Sequence, residues 1–377
     1  MNDSIFAPHF NIDPEIDAML RGIENNNWLV ENMLLMPKHE AWIRREVSVK
    51  RAAGTARIEG AGMEEADVSD LMKKAPSGRL SENEQANINA VQAYEFVDYL
   101  SDQPDIPVGE LVIRELDRYF LRGMDPTLTP GVYRLGENKV SEYTPPNQGD
   151  VPSLMSAFTT WLQDDGNEIH PIVKASMAHI HLVAIHPFWD GNGRTARALA
   201  TLILERSRFS FKKLLSLESY MSRMRDDYFT AIERTLGPRF SPDYDATPWL
   251  RFFAINLMAH TIEFTQTLTE WHRNMSKVYE SFETRHLNHR QADGLAYAAR
   301  TGRITRPDYI EITNAAPATA SRDLARLVEE GYLTPEGKTR GRVYRYVSRT
   351  EQPKSEPPSE QGQLFGQTQQ EGADQQK

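Results

Sequence analysis

"AIHPFWDGNGRTARALA", residues 184–200, sets one histidine, one aspartate, an asparagine between two glycines and two arginines inside an otherwise apolar stretch. The preceding "IVKASMAHIHLVAI" (172–185) reads as a buried helix. Beyond the polar residues, Ala198, Leu199, Leu202 and Ile203 recur at helical spacing and predict a second helix facing the core. The intervening turn therefore delivers Gly191, Asn192 and Gly193 to a helix N-terminus. There the unpaired backbone N–H groups and the positive end of the helix dipole favour an anion, and glycine lets a phosphate approach closely. Arg194 and Arg197 stand three apart, on one helical face, so both guanidinium groups can reach one polyphosphate. Asp190 offers a hard oxygen ligand suited to Mg²⁺, and His186 is the residue here that exchanges a proton near neutral pH. The set describes phosphate-ester chemistry with a general base. Each feature alone is ordinary: His-Pro and Gly-Asn-Gly are common punctuation, and paired arginines usually face solvent. Their joint occurrence in this order makes a motif.

Outward from that turn the chain is mainly helical. From about Asp13 to Leu100 apolar residues keep helical spacing, as in "AVQAYEFVDYL" (90–100). "GELVIRELDRYFLRG" (109–123), "SLMSAFTTWLQ" (153–163) and the long "PWLRFF…ETRHL" (248–287) continue the pattern. One stretch differs: "PGVYRLGENKVSEYTPPNQG" (130–149) sets β-prone pieces among Gly, Pro and Asn and predicts a hairpin-like flap or loop. Near residue 295 the pattern changes again. Thr305 can cap a helix through Asp308, Pro317 opens a second that Gly331 ends, and "TPEGKTRGRVYRYV" (334–347) follows as a β-ribbon. Two short helices and a ribbon are the order of a winged helix-turn-helix. From about Thr350 the chain is Gln, Glu, Pro, Ser and Gly, too poor in apolar residues to offset its ordering entropy, and is expected to be disordered.

The chain has 377 residues, 40% of them hydrophobic, enough for a core and an appended small domain. With no cysteine, disulfides, thiolate catalysis and cysteine-ligated zinc are excluded together. The opening "MNDSIFAPHF" has neither the basic region nor the apolar core of a signal peptide, and no apolar run reaches about 18 residues; a cytoplasmic protein without membrane contact is expected. A net charge of −10 argues against wholesale nucleic-acid binding, yet residues 297–349 carry ten Lys/Arg against six Asp/Glu. Thr319, Arg322 and Arg326 share a face of the second short helix that could enter a DNA major groove. The same module could instead dock protein or join two copies into a homodimer.

"HPFWDGNGRTAR" (186–197) matches, at every defining position, the signature of the Fic family, which it therefore resembles. The resemblance implies a compact helical bundle with a β-hairpin flap, and transfer of AMP from ATP to a hydroxyl side chain of a target protein. Carried over by position, His186 would deprotonate the hydroxyl, Phe188 would anchor the loop, and Asp190 would hold Mg²⁺. Asn192, with the amides of Gly191 and Gly193, would bind the α-phosphate; Arg194 and Arg197 would hold the β- and γ-phosphates. The flap around Val140 would dock an extended target segment by strand addition. Tyr228 stands where relatives often put an aromatic beside the adenine, and it reads equally as a core tyrosine on an amphipathic helix. The retained Gly191 and Gly193 favour nucleotidyl over phosphoryl transfer.

Upstream, "TARIEG" (55–60) fits the family's inhibitory pattern, with Thr55, Glu59 and Gly60 in register. A carboxylate reaching Arg197 would form a bidentate pair and take the site of the γ-phosphate. This resembles the self-inhibited class with an internal N-terminal inhibitory helix, here about 48–62; in some relatives the same glutamate serves removal of AMP. The expected organisation is an N-terminal helical region (1–110), a Fic catalytic domain with flanking helices (111–290), a winged helix (291–349) and the tail (350–377). The rival reading is a nucleotide-sensing, DNA-binding regulator, which would need the phosphate cradle but no His186. In the tail, Gln361, Leu364 and Phe365 resemble the short peptides that dock on the bacterial DNA sliding clamp.

Overall fold

The structure, a computed structural model, describes residues 9–35, 37–73, 79–164, 169–285, 287–337 and 342–347. It divides into two compact units, Met1–Thr269 and Glu270–Lys377.

The first unit is helical: α1 (Pro14–Asn32), α2 (Pro37–Ile58), α3 (Glu65–Lys73), α4 (Glu82–Ser101), α5 (Glu110–Leu121), α6 (Val151–Gln163), α7 (Pro171–Ile185), α8 (Asn192–Arg206), α9 (Leu217–Arg223), α10 (Arg225–Leu236) and α11 (Thr247–Arg285), whose later residues belong to the second unit. The starts are encoded locally. Asp13 accepts from the amides of Glu15 and Ile16, and Ser81 forms a capping box with Glu84.

Helix α8 lies at the centre. Its Ala196 and Leu199 join Ile113, Phe158, Leu182 and Phe188 in one apolar cluster, while its Ala198 and Leu202 join Ala90, Tyr94, Val97 and Phe120 in another. Burial on two sides fixes the helix that the signature opens; truncating a fully buried leucine such as Leu199 typically costs about 2–5 kcal/mol.

Helix α2 is held by a different device. The run "RAAGTA" (51–56) is small, and a Cβ on Gly54 would lie 2.5 Å from the backbone nitrogen of Ser219 in α9, so the two backbones are in direct contact. One turn before Thr55, buried Arg51 pairs with Glu205 at 2.6 Å and Asp98 at 3.2 Å and donates twice to the carbonyl of Leu215. Stripping one partner from such a buried charge costs about 3–5 kcal/mol.

The expected flap hairpin is reduced. Val140 and Tyr143 exchange a reciprocal pair of 2.9 Å hydrogen bonds around Ser141, whose φ is +53°, and no strand forms there. Pro145 and Pro146 offer no N–H to lengthen a ladder, and Thr144 bonds Pro238 and Phe240 instead.

The second unit holds α12 (His289–Thr301), β1 (Arg303–Thr305), α13 (Arg306–Thr313), α14 (Pro317–Glu329), β2 (Leu333–Glu336) and β3 (Val343–Tyr346). The strands form an antiparallel sheet in the order β1-β3-β2, with Ile304 opposite Tyr344 and Leu333 opposite Tyr346. Thr305 and Asp308 make the anticipated capping box. Helix α12 and strand β1 were not read from the sequence. The tail, with Gln361, Leu364 and Phe365, lies outside the described residues. Among those described, no helix is long and apolar enough to cross a membrane.

Candidate functional site

The polar turn joins the two most buried helices of the first unit. Helix α7 ends at His186, which adopts a left-handed conformation (φ 50°, ψ 58°) while its N–H bonds Leu182 at 3.0 Å. A non-glycine residue held there carries strain that its surroundings must hold in place. Three contacts do so. Arg134, 2% exposed, donates from Nε to the carbonyl of His186 at 2.9 Å and from its backbone amide to Pro187 at 2.8 Å. Its other nitrogens donate to the carbonyls of Gly136 and Pro146. The Tyr143 hydroxyl donates to Ala184 at 2.7 Å. Thus the flap is fastened to the turn by side chains rather than by a strand ladder.

The His186 ring is half-buried, and its Nδ1 lies 3.4 Å from the Val183 carbonyl. Donation from Nδ1 leaves Nε2 free to accept a proton. Burial pushes the imidazole down to about 4, so it is neutral at physiological pH. Phe188 is buried against Tyr133, ring centroids 5.6 Å apart.

Asn192 departs from its expected role. Its Oδ1 accepts from the Phe188 amide and its Nδ2 donates to the Phe188 carbonyl, both at 2.9 Å, and the residue is 2% exposed. The side chain closes the loop on itself, so an anion is left the backbone amide of Asn192 rather than its carboxamide. Gly191 has φ +81°, and a Cβ there would lie 2.5 Å from Oδ1 of buried Asp117. Helix α8 then starts without a side-chain cap, its first-turn amides unclaimed by any side chain.

Four residues line this helix end. Asp190, half exposed, accepts from Arg194 Nη2 at 2.8 Å. Arg197, 1% exposed, donates from Nε to Thr55 Oγ1 at 3.0 Å, from Nη1 to the Tyr228 hydroxyl at 3.1 Å and from Nη2 to Glu59 Oε1 at 2.6 Å. The pairing with Glu59 is single, not the bidentate fork expected. A Cβ on Gly193 would lie 2.8 Å from the same Glu59 oxygen, so the carboxylate rests on the first turn of α8, where an anion would sit. Glu59 is not inside a helix. Helix α2 ends at Ile58, whose carbonyl accepts from Arg225 Nε at 2.8 Å, and Gly60 turns the chain away with φ +86°.

Of the two readings of Tyr228, the structure has the core tyrosine. It is 1% exposed, edge-on to Trp249 and His179, and lies in the core behind Arg197 rather than on an open wall. Val140 is partly exposed on the flap. Among the described residues no group of three or more His, Asp or Glu could hold a metal; Asp190 offers one carboxylate.

Arg134, Asp117 and His179 escaped the sequence reading. Asp117 gave a signal, a charge on the apolar face of α5 among Ile113, Leu116 and Phe120. It is 1% exposed, accepts from the Gly131 amide at 2.7 Å, and burial pushes its carboxyl up to about 7.

Comparison with known proteins agrees with this geometry. Residues 107–204 match the Fic/DOC family. A protein adenylyltransferase Fic of Drosophila mojavensis is 42% identical over 98 residues, 26% of this chain and 19% of that protein. One of Nematostella vectensis is 37% identical over 131 residues, 34% of this chain and 30% of that protein, so the chain spans under a third of either relative. The crystal structure of a Fic family protein from Desulfovibrio desulfuricans G20 superposes with a TM-score of 0.59 at 20% identity, covering 92% of this chain and all of that one, which shows a shared fold.

Proposed function

We propose, from the premise that residues 107–204 are a Fic domain, that this chain transfers AMP from ATP to a hydroxyl side chain of a target protein and restrains itself through Glu59. The observation that carries the reading is a neutral His186 beside an uncapped helix N-terminus onto which a carboxylate and two arginines converge. Glu59 stands in for the phosphate oxygens that belong there.

With Glu59 displaced, the α-phosphate meets the amides of Asn192 and Gly193, joined by that of Gly191 once it leaves Asp190 Oδ1, to which it donates at 2.6 Å; Arg194 takes the β-phosphate and Arg197 the γ-phosphate. His186 Nε2 accepts the target hydroxyl's proton as its oxygen bonds to the α-phosphorus, and pyrophosphate leaves. Positioning and charge neutralisation supply most of the acceleration; the base adds about 10²- to 10⁴-fold. Asp190 fits Mg²⁺, which commonly takes one or two protein carboxylates and fills its shell with phosphate oxygens and water; when bound it would neutralise phosphate charge. The target lies along the flap near Val140. Thr55 holds Arg197 in the inhibited arrangement, and Gly60 supplies the turn that presents Glu59. The reverse reaction, removal of AMP, would use the same site.

For the second unit we read the helices and sheet of residues 289–346 as a winged helix, with Arg322 exposed on α14 for duplex DNA. The regulator reading is less favoured, because a sensor has no use for a strained, neutral histidine at the phosphate site.

Intact-mass measurement after incubation with ATP and Mg²⁺ tests the proposal. Glu59→Gly gains the mass of AMP on itself or on added target and wild type gains less; no gain in either chain refutes transfer, and equal gains refute the role of Glu59.

A further inference from the structure

We propose that Tyr228 and His179 are positioning residues for Arg197, forming a buried relay with a single allowed order of protons that turns the Nη2 edge of the guanidinium toward the anion site. The inference deepens the reading of Arg197 as the terminal-phosphate ligand and rests on it.

The order follows from donor chemistry. A guanidinium can only donate, so across the 3.1 Å contact with Arg197 Nη1 the Tyr228 oxygen must accept. The tyrosine's one proton is satisfied by its other partner, His179 Nε2, also at 3.1 Å; the opposite order, Nε2–H donating to the same oxygen, would leave both the buried phenol proton and the bare Nδ1 without partners among the described residues. Nε2 must therefore be bare, and the ring's proton sits on Nδ1, for which the described residues provide no hydrogen-bond partner. A second proton is opposed by burial and by the charge of Arg197, both of which hold this imidazole well below its usual range.

The relay is also fixed in space. His179, Tyr228 and Arg197 are 0%, 1% and 1% exposed. The His179 ring stacks on Trp249 with centroids 4.5 Å apart and planes 15° from parallel, and Trp249 is itself held by donation to Ser176 at 2.9 Å. Tyr228 meets both rings edge-on. With Nη1 claimed by Tyr228 and Nε by Thr55, Nη2 is the nitrogen presented to Glu59, whose side chain is 32% exposed. Packing alone gives no reason for a histidine here. A phenylalanine would fill the same stack without burying an unpaired N–H; what it lacks is an acceptor for the tyrosine's proton.

The test uses the full chain carrying Glu59→Gly, with ATP and ADP binding measured by calorimetry. Adding Tyr228→Phe is expected to weaken ATP about tenfold or more while leaving ADP within about twofold, because only the terminal phosphate meets Arg197. Equal losses for both nucleotides, or no loss for ATP, overturn the proposal. His179→Gln, which keeps an acceptor, should retain more ATP affinity than His179→Leu; the reverse order also counts against it. Independently of nucleotide, ¹⁵N spectra of the histidines, with the His179 signal assigned by its loss in His179→Gln, should show the Nδ1–H tautomer throughout about pH 5 to 8. An Nε2–H tautomer, or titration near the ordinary histidine value, overturns the relay. If the Glu59→Gly parent binds no ATP, the phosphate reading fails, and the spectra still decide the relay.

Discussion

His186 closes a buried helix in a left-handed turn, its backbone held by Arg134 and its ring kept neutral by burial. With its proton affinity lowered to about 4, the base form is complete well below neutrality. In Glu59→Gly, kcat/KM for AMP transfer should therefore show no His186 limb between about pH 6 and 8 and should fall only as the pH approaches 4; a limb near 6.5 would assign the ring to solvent. His186→Ala should abolish incorporation in either background by at least the 10²- to 10⁴-fold expected of a general base. Asp117 has the opposite sign. Its carboxyl is raised to about 7 in the fold, against about 3.9 in an unfolded chain. Between those values the folded state binds the extra proton, so stability declines as pH rises through this window, by at most about 1.4 kcal/mol per pH unit, and levels above it. Asp117→Asn keeps an acceptor for Gly131 and cannot ionise. Its unfolding free energy in urea should gain on wild type from about pH 4 to 7 and hold a constant lead beyond, whereas parallel curves would mean that Asp117 is not buried as an acid. The residues from His186 to Arg197 were legible because their chemistry is local, spaced by one turn and one helix start. Arg134 and the His179–Tyr228 pair were not: the contacts Arg134–His186, His179–Tyr228 and Tyr228–Arg197 span 31 to 52 residues, and the carbonyls that Arg134 binds carry no sequence identity.

Between the elements, α2 and α9 meet backbone to backbone at Gly54 and Ser219. A methyl group at Gly54 has no flexible side chain to push aside, so Gly54→Ala must move α2 as a body. The overpacking cost is about 1–3 kcal/mol, and the displacement would carry Thr55 and Glu59 away from Arg197. We expect lowered stability together with raised AMP incorporation, measured on the same preparation by chemical unfolding and intact mass; lowered stability with incorporation at the wild-type level would show that Glu59 moves independently of its helix. The sequence announced α2 as inhibitory through Thr55, Glu59 and Gly60, but not that the helix stops at Ile58. The stop is made locally by Gly60, which at φ +86° donates to Arg57 at 3.1 Å while Ala61 donates to Ala56 at 2.9 Å; Arg225, 167 residues downstream, adds a bond to the Ile58 carbonyl. How short the flap's pairing would be was illegible for a related reason. β-prone residues on either side of Asn138 and Lys139 suggest a ladder, whereas buried Arg134 takes the Gly136 and Pro146 carbonyls and Pro145 and Pro146 lack the N–H groups a second strand would need.

At the scale of the whole chain, a net charge of −10 conceals a second unit whose sheet and helices carry exposed arginines. Arg322 contacts only Thr319, at 3.4 Å, among the hydrogen bonds of α14, and is available to a phosphate. If α14 reads duplex DNA, binding by the full chain should weaken steeply with salt, and Arg322→Ala should flatten the logarithmic salt dependence by about one unit. Absence of binding in fluorescence anisotropy at low salt would leave the unit a protein-docking module. The order of helices and ribbon was visible in Thr305, Pro317 and Gly331; α12 and β1 were not, since the buried positions of α12 mix Gln291, Asp293 and Gly294 with three alanines and one leucine, and β1 is three residues long.

Arg197 has one outward edge and two claimants. On the proposed function, nucleotide entering the natural chain would evict Glu59 before gaining the arginine, so one stabilising contact would be exchanged for another instead of being added. ATP should then raise the melting temperature of the wild-type protein little, and that of Glu59→Gly by the full amount expected for a ligand bound only to the folded state. A thermal-shift screen run on the natural chain would then discard the proposed substrate as a weak hit; the same library run on the variant would rank it first.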